Sequence, residues 1–269
     1  MTLGSVRATL ATLALALLVL AAPPAVAAES EVDLALVIAV DVSYSMDPDE
    51  QELQRQGFVE AFRSQLVHDA IRRGMLGRIA VVYMEWAGST DQQVLVPWTV
   101  IDNPESAMAF AGTLSEKPTR RASRTSVSGA IDFGAKLLDE SGFAATRQVL
   151  DISGDGPNNQ GRAVTAARDQ ALDKGITING LPIMLKAPGP WDIEDLDIYY
   201  RDCVIGGQGA FMVPVREREQ FVQAVKTKIL LEVAGTPAPD SLVKPAQSAE
   251  PRRVSCMAGE LKMQNRWGN

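Results

Sequence analysis

The sequence has few of the side chains that most often carry enzymatic chemistry. Its 269 residues include one histidine, His68, and two cysteines, Cys203 and Cys256. We expect His68 to be a solvated side chain on a helix, which removes Ser-His-Asp chemistry. The stretch Ser153 to Gly156 does not form the G-x-S-x-G turn of such hydrolases. The sequence therefore points away from nucleophilic hydrolysis.

Phosphate-binding loops and an excess of basic residues are also missing. There is no Walker loop, and no G-x-G-x-x-G follows the first predicted strand. The chain has 26 basic and 33 acidic residues, a formal charge of −7, and no basic stripe. Nucleic-acid binding requires clustered Lys and Arg, so we expect no nucleic-acid partner.

The first 28 residues are predicted to form a secretory signal peptide. Arg7 supplies the positive start, residues 8–22 are apolar, and Ala25 to Ala27 resembles a cleavage site. An anchor that spans a bilayer needs about 20 apolar residues, so a run of about 15 favours cleavage. No later segment is long and apolar enough to cross a membrane. We therefore expect a periplasmic or secreted protein without a membrane span after cleavage.

Residues 29–235 are predicted to form one domain, and residues 236–269 a flexible tail. After residue 234 the composition shifts to Gly, Thr, Pro, Ala and Ser, with no hydrophobic periodicity. An exported protein permits a disulfide between Cys203 and Cys256, and the sequence leaves this open. Because Cys256 lies in the expected tail, we favour one buried thiol and one thiol in the tail.

Predicted strands and helices alternate along the domain. Residues 33–40 form a nearly unbroken apolar run, which is typical of a strand buried on both faces. Further strands are predicted at 78–86, 93–101, 147–153, 176–184 and 210–215, and helices at 48–73, 104–114, 125–139, 162–174, 191–201 and 217–233. The turn at Gly88 to Asp91 indicates a hairpin, so one edge strand is antiparallel. We therefore predict a doubly wound α/β fold with a mostly parallel central sheet of about six strands and helices on both faces.

Three loops carry a set of oxygen ligands. Asp41, Ser43 and Ser45 directly follow the first strand, Thr125 precedes a helix, and Asp155 follows a central strand. In open α/β sheets, ligands bind outside the carboxyl ends of the strands. These side chains are hard oxygen donors, which suit Mg²⁺, Mn²⁺ or Ca²⁺ better than zinc. We predict a divalent-cation site, with Mg²⁺ favoured, whose neutral hydroxyls leave the cation able to bind an acidic ligand.

The three motifs resemble the metal-ion-dependent adhesion site of von Willebrand factor type A domains. The first is D-x-S-x-S at residues 41–45, the second is Thr125 with Ala130 and Ile131 on the following helix, and the third is Asp155-Gly156 after a strand. The resemblance covers residues 33–233. It implies that Ser43, Ser45 and Thr125 touch the metal directly or nearly so, and that Asp41 and Asp155 act directly or through water. It also implies a non-enzymatic interaction module whose cation captures a Glu or Asp of a protein partner.

More narrowly, the chain resembles a bacterial group of exported proteins whose function is not assigned. The shared stretches are YMEWAG, VPWT, SGDGPNN and YYRDCVIGG. The chain departs from the wider family where Ser153-Gly154 precedes Asp155, since many relatives have Thr there. We expect this third loop to be more flexible for that reason, and we expect the large side chains of Tyr44 and Met46 to shape the rim of the site.

Alternative readings remain for the site and for several residues. A structural scaffold with an idle site is one, and a metal-assisted hydrolase is another, although no His or Lys near the motif offers a general base. Asp47 before Pro48 is expected to cap a helix. Asp151 either supports the site or pairs with a neighbour. Trp191, among acidic residues, is expected to pack in the core or at a rim more than to recognise a partner.

Overall fold

The computed structural model describes residues 30–189, 192–235, 244–245 and 254–267. The predicted signal peptide and Trp191 lie outside these residues. The described residues form a single sheet with helices packed on both faces. None of the helices in these ranges combines the length and the apolar character needed to cross a membrane.

The sheet has the order β3-β2-β1-β4-β5-β6-β7. Its strands are β1 Ser30–Asp41, β2 Ile79–Trp86, β3 Gln92–Ile101, β4 Phe143–Gly154, β5 Thr177–Pro182, β6 Phe211–Met212 and β7 Lys244–Pro245. Five neighbouring strands of the sheet, β2, β1, β4, β5 and β6, are parallel to one another. In contrast, β3 pairs antiparallel with β2, as predicted from the hairpin. The two-residue β7 is a seventh strand, also antiparallel, within the segment that the sequence assigned to the tail.

The helices are α1 Pro48–Phe62, α2 Gln65–Arg72, α3 Pro104–Ser115, α4 Val127–Asp139, α5 Val164–Asp173, α6 Leu196–Tyr199, α7 Phe221–Ala234 and α8 Ala258–Trp267. One layer contains α1, α2, α3 and α7, and the other contains α4, α5 and α6. The helix predicted at 48–73 is two helices, because the chain turns at Arg63 and Ser64. The helix predicted at 191–201 is the short α6, which continues into a π-helical turn, Tyr200–Val204.

The apolar run of β1 is continuous because both faces of this central strand are covered. Leu34, Leu36 and Ile38 pack into the layer of α1 and α7, while Ala35 and Val37 pack into the opposite layer. Successive side chains of a strand point to opposite faces, so a strand between two helical layers has no solvent-facing position. This burial fixes the position of the loop that leaves β1 at Asp41.

Asp47 caps α1, as predicted. Its side chain accepts a hydrogen bond of 2.9 Å from the backbone of Glu50, and the Glu50 carboxylate accepts one of 2.9 Å from the backbone of Asp47. With Pro48 in the first turn, this capping box sets where α1 begins. The first predicted site loop is thereby held at both ends, by β1 and by the start of α1.

Two predictions about side chains outside the site are wrong. Cys203 and Cys256 form a disulfide, so neither is a free thiol. Residues 254–267, expected to belong to a flexible tail, pack beside the domain through this bond and α8.

His68 is buried rather than solvated, and its Nε2 lies 2.6 Å from the carbonyl oxygen of Phe62.

Candidate metal site

The predicted loops meet where the parallel strands end. Asp41 is the last residue of β1, Gly154 the last of β4 and Pro182 the last of β5. The loop before α4 is drawn to the same edge, because the backbone N–H of Ala122 donates to the carbonyl oxygen of Val42 at 2.9 Å. Loops that leave neighbouring strands toward opposite layers open a crevice between them.

Two of the three predicted loops are in direct contact through their side chains. The hydroxyls of Ser43 and Ser45 lie 2.8 Å apart, and Ser45 Oγ donates to Asp155 Oδ1 at 2.6 Å. The backbone N–H of Ser43 donates to Asp41 Oδ1 at 2.7 Å. Residues 110 positions apart in sequence are thus joined by one hydrogen bond. Asp41, Ser43, Ser45 and Asp155 therefore form one connected group of oxygens.

Thr125 is held against the third loop by its backbone. Its N–H donates to Asn159 Oδ1 at 3.0 Å, and its carbonyl oxygen accepts from the backbone N–H of Asn159 at 2.8 Å. Thr125 Oγ1 lies 3.9 Å from where a Cβ on Gly156 would stand. Thr125 also lines, with Ser43 and Ser45, a cavity of about 390 Å³. All five predicted residues therefore lie around one crevice.

Asp41 is fully buried and Asp155 is half-buried, and the positive charge near Asp155 is that of Lys186. Burial raises the pKa of Asp41 well above its usual range, and the neighbouring charge of Asp155 raises it further, against hydrogen bonds from Ser43. Burial likewise raises the pKa of Asp155 to about 6, although Ser45 and Lys186 lower it. Asp41 Oδ2 is buried and has no hydrogen-bond partner among the described residues. Such a pair is unfavourable unless a proton or a cation shares it.

Lys186 lies at the edge of the site, contrary to the expectation that no lysine is near the motif. Its Nζ donates to the carbonyl oxygen of Ser45 at 2.7 Å and lies 2.5 Å from the Glu50 carboxylate. Burial alone would lower the pKa of Lys186, but the hydrogen bond and charge of Glu50 raise it overall. Lys186 is therefore a protonated ammonium at neutral pH and is poorly suited to act as a general base.

Gly154 allows β4 to pass close to Asp41. A Cβ at Gly154 would lie 2.9 Å from Asp41 Oδ2 and 3.1 Å from the hydroxyl oxygen of Tyr200. Real Cβ atoms essentially never approach other atoms below 3.0 Å. This position belongs to a strand paired with β5, and not to a loosened loop as we expected. Gly154, near the position where many relatives have Thr, therefore lies where the backbone of β4 passes close to Asp41.

The rim of the crevice combines an aromatic ring with arginine side chains. Tyr44 is 61% exposed, and the guanidinium of Arg121 lies 5.4 Å from the centre of its ring. Arg121 also donates to the carbonyl oxygen of Tyr44 with a 2.5 Å hydrogen bond. Met46, expected at the rim, is instead fully buried in the core. Of Tyr44 and Met46, only Tyr44 is exposed at the crevice.

The donor set fits a hard divalent cation. Among the described residues, no three His, Cys, Asp or Glu side chains come together in a group able to hold a metal. The crevice instead combines two carboxylates with the hydroxyls of Ser43, Ser45 and Thr125. Oxygen ligands of this kind suit Mg²⁺, Mn²⁺ and Ca²⁺, and two carboxylates match a double positive charge.

Asp151 lies outside the site. It is buried in the middle of β4, and its Oδ1 lies 2.8 Å from Lys228 Nζ on α7. Of the two readings that the sequence left open, the structure supports pairing with a neighbour.

The glycines near residue 207 form a turn, as expected, with Gly207 and Gly209 at positive φ.

Sequence reasoning missed two contributors to the crevice, Lys186 and the C-terminal segment. Lys186 follows β5, the strand beside β4, so its position at the same edge was a usable signal. Met263 of α8 lines the cavity of Ser43, Ser45 and Thr125. Nothing in the composition of residues 254–267 indicates that contact.

The architecture is shared with several solved structures. Proximal thread matrix protein 1 from the mussel byssus, solved with a zinc-occupied MIDAS motif, matches with a TM-score of 0.55 at 11% identity, over 77% of this chain and 49% of that chain. The pilus adhesin SpaC from Lactobacillus rhamnosus GG matches with a TM-score of 0.55 at 12% identity, over 75% of this chain and 31% of the adhesin. This chain thus spans half or less of each. Identities this low show a common fold, that of von Willebrand factor type A domains, as the sequence resemblance implied.

A von Willebrand factor type A protein from Catenulispora acidiphila also matches, with a TM-score of 0.49 at 14% identity, over 76% of this chain and 43% of that one. No curated protein matches the chain significantly. The family described as "Protein of unknown function (DUF1194)" matches residues 31–237, which is most of the chain and nearly all of the described domain. The chain therefore belongs to this family.

Proposed function

We propose that the protein is an exported, non-enzymatic interaction module that binds an acidic group of a protein partner through a divalent cation. The observation that carries the proposal is the connected oxygen group of Asp41, Ser43, Ser45 and Asp155, with one buried carboxylate oxygen left without a partner among the described residues. Thr125, in the loop before α4, lines the same cavity as the two serines and adds a further hydroxyl.

Each residue of the group has a distinct role in this proposal. Asp41 and Asp155 supply the negative charge that a cation would neutralise, and burial raises the pKa of both carboxyl groups. Ser43, Ser45 and Thr125 offer neutral hydroxyl oxygens, which orient a cation without cancelling its charge. A bound cation would supply an open coordination position for a carboxylate of the partner.

Mg²⁺ is the cation we propose, with Mn²⁺ and Ca²⁺ as alternatives. The ligands are all oxygens, and Mg²⁺ is usually held by one or two carboxylates together with other oxygens. The byssus protein is described with zinc in its MIDAS motif. For this chain the lack of imidazole or thiolate in the crevice favours a harder ion.

The surroundings of the crevice favour an acidic partner outside the cytoplasm. Arg121 and Arg124 lie beside the cavity and would attract a negatively charged surface. The disulfide between Cys203 and Cys256 forms and persists in oxidising compartments, which agrees with the predicted signal peptide. We therefore propose a periplasmic or secreted location.

The proposal is tested by thermal unfolding of the purified protein with Mg²⁺ and with a chelator. A cation that binds only the folded state at 100 times its Kd stabilises it by about 2.7 kcal/mol. We expect this gain in the wild type and in the control Asp49→Ala, whose side chain is exposed at the start of α1. It should vanish in Asp41→Ala. If Mg²⁺ stabilises none of the three proteins, cation binding at this site is contradicted.

A further inference from the structure

The C-terminal segment is attached beside the crevice by a covalent bond. Cys256 is joined to Cys203, which is fully buried in the π-helical turn after α6. The helix α8 begins two residues later. A helix of this length is marginal by itself in water, so it depends on its contacts with the domain. The bond restricts α8 to one region of the surface.

The backbone of α8 lies directly against the loop that carries Asp155. A Cβ on Gly259 would overlap the carbonyl oxygen of Asn158. The next residue, Glu260, is buried, and its Oε1 accepts a hydrogen bond of 2.7 Å from Asn158 Nδ2. Asn158 also accepts from the backbone N–H of Ser128 on α4 at 3.0 Å. The helix is therefore packed on the part of the domain that fixes the third site loop.

Two further side chains of α8 reach the other loops around the crevice. Arg124 Nη1, next to Thr125, lies 2.9 Å from Met263 Sδ. Lys262 Nζ donates to the carbonyl oxygen of Asp192, in the loop that follows β5. Met263 lines the same cavity as Ser43, Ser45 and Thr125. Thus α8 touches three loops and forms one side of the cavity.

We infer that α8 is a fixed wall of the partner-binding cavity, and that Met263 limits the size of the acidic group that can enter from this side. The inference rests on the proposed function, because it names which ligands the same site admits. A small carboxylate can enter the cavity past Met263, whereas a carboxylate carried by a bulky segment must approach from the side of Tyr44 and Arg121. The disulfide keeps the wall in place by removing the freedom of the segment to leave.

The position of α8 is tested by hydrogen exchange of its own amides, which needs no cation. We expect the amides of residues 261–265 to be protected in the wild type. Cys256→Ser, which removes the tether, and Gly259→Ala, which keeps the disulfide but places a Cβ against Asn158, should each speed their exchange by about tenfold or more. Gln264→Ala, an exposed change on the same helix, should not. Unprotected amides in the wild type would refute the wall.

The selectivity is tested by calorimetric binding of two probes in Mg²⁺, acetate and a helical peptide with one central glutamate. Met263→Ala and Cys256→Ser should raise the affinity for the helical peptide by about tenfold while the affinity for acetate changes little. Equal peptide affinity in the wild type and both variants would overturn the role of Met263. If no form binds either probe with Mg²⁺, the proposed function fails, while the exchange experiment still decides whether α8 is a wall.

Discussion

Two acidic clusters lie on β4 and just beyond its end, and they differ in where their counter-charge comes from. In the middle of the strand, Asp151 lies 2.8 Å from Lys228 Nζ, and Lys228 lies 2.6 Å from Glu232. Just beyond the end of the strand, Asp155 shares the crevice with Asp41. The cluster of Asp151 has its lysine inside the core, whereas the crevice has Lys186 only at its half-exposed edge.

The electrostatics of the two clusters follow from this difference. Burial alone would lower the pKa of Lys228, but Asp151 and Glu232 raise it overall, so the lysine is charged. Asn179 Nδ2 donates to the other oxygen of Glu232 at 2.7 Å. Burial still raises the pKa of Asp151 to about 7, although the charge of Lys228 lowers it. The mid-strand cluster thus has its counter-charge within the chain, on α7. Among the described residues, no buried lysine accompanies the two carboxylates of the crevice, which is the property expected of a site for an external cation.

We expect the largest effect from Lys228→Met, which removes the counter-charge of the mid-strand cluster and so makes this cluster resemble the crevice. It leaves Asp151 and Glu232 buried without their cation, and breaking such a pair typically costs about 3–5 kcal/mol. Urea unfolding at neutral pH measures this loss. Lys226→Met on the same helix, whose lysine makes a 3.8 Å contact with Glu60, should cost about 1 kcal/mol or less. A similar small loss in both variants would contradict a structural role for Lys228.

Gly154→Ala tests how tightly the crevice is built. The added Cβ would stand 2.9 Å from Asp41 Oδ2, so Asp41 or the strand must move. We expect a loss of about 1–3 kcal/mol in unfolding free energy and a weaker response to Mg²⁺. Gly156→Ala is the matched control, since its Cβ would make only ordinary contacts of 3.8 Å or more with Thr125. A cation response in Gly154→Ala equal to the wild type would show that Asp41 need not be placed so closely.

The pH dependence of cation stabilisation sharpens the comparison further. The pKa of Asp155 in the folded protein is about 6, above its ordinary value of 3.8. Without cation, the stability that its proton contributes is fully present below about pH 4 and is lost as the pH rises through about 6. A cation replaces that proton, so the gain in melting temperature with Mg²⁺ should increase from about pH 5 to about pH 7. A gain that is constant over this range would show that protons and cation do not compete.

Lys186→Gln has the smallest expected effect. The ammonium at the edge of the crevice repels a cation bound at Asp155, whereas glutamine keeps a donor for the carbonyl oxygen of Ser45. Because the side chain of Lys186 is 47% exposed, solvent screens most of this repulsion. We expect the affinity for Mg²⁺, measured by calorimetry, to rise by a few-fold. A fall in affinity would indicate that Lys186 instead helps to hold the site together.

The fold was largely predictable because its signals are local. A nearly unbroken apolar run identified β1, the sequence also predicted strands at β2 and β4, and the hairpin turn identified the antiparallel β3. The predictions were poorest where packing decides the outcome. The break between α1 and α2 at Ser64 has no strong sequence signal, and the buried His68 depends on its contact with the carbonyl oxygen of Phe62.

The site was predictable as a set of residues but not as a geometry. Spacing and residue type selected Asp41, Ser43, Ser45, Thr125 and Asp155, and the structure brings all five around one crevice. Their role as metal ligands remains the proposal. The sequence left the disulfide open and favoured two thiols, because Cys256 lies in the segment expected to be a flexible tail. Cys203 is 53 residues away, and no local pattern records such a distant contact.

The sequence by itself determined the order of strands and helices and the placement of hard oxygen donors at strand ends, because periodicity and turn residues act over a few positions. Only the tertiary structure decided which charges are balanced. Asp151 lies on β4 and Asp155 one residue beyond its end, yet Asp151 meets a lysine from α7 and Asp155 lies near the carboxylate of Asp41. Charge compensation depends on distances across the fold, which local pattern does not encode.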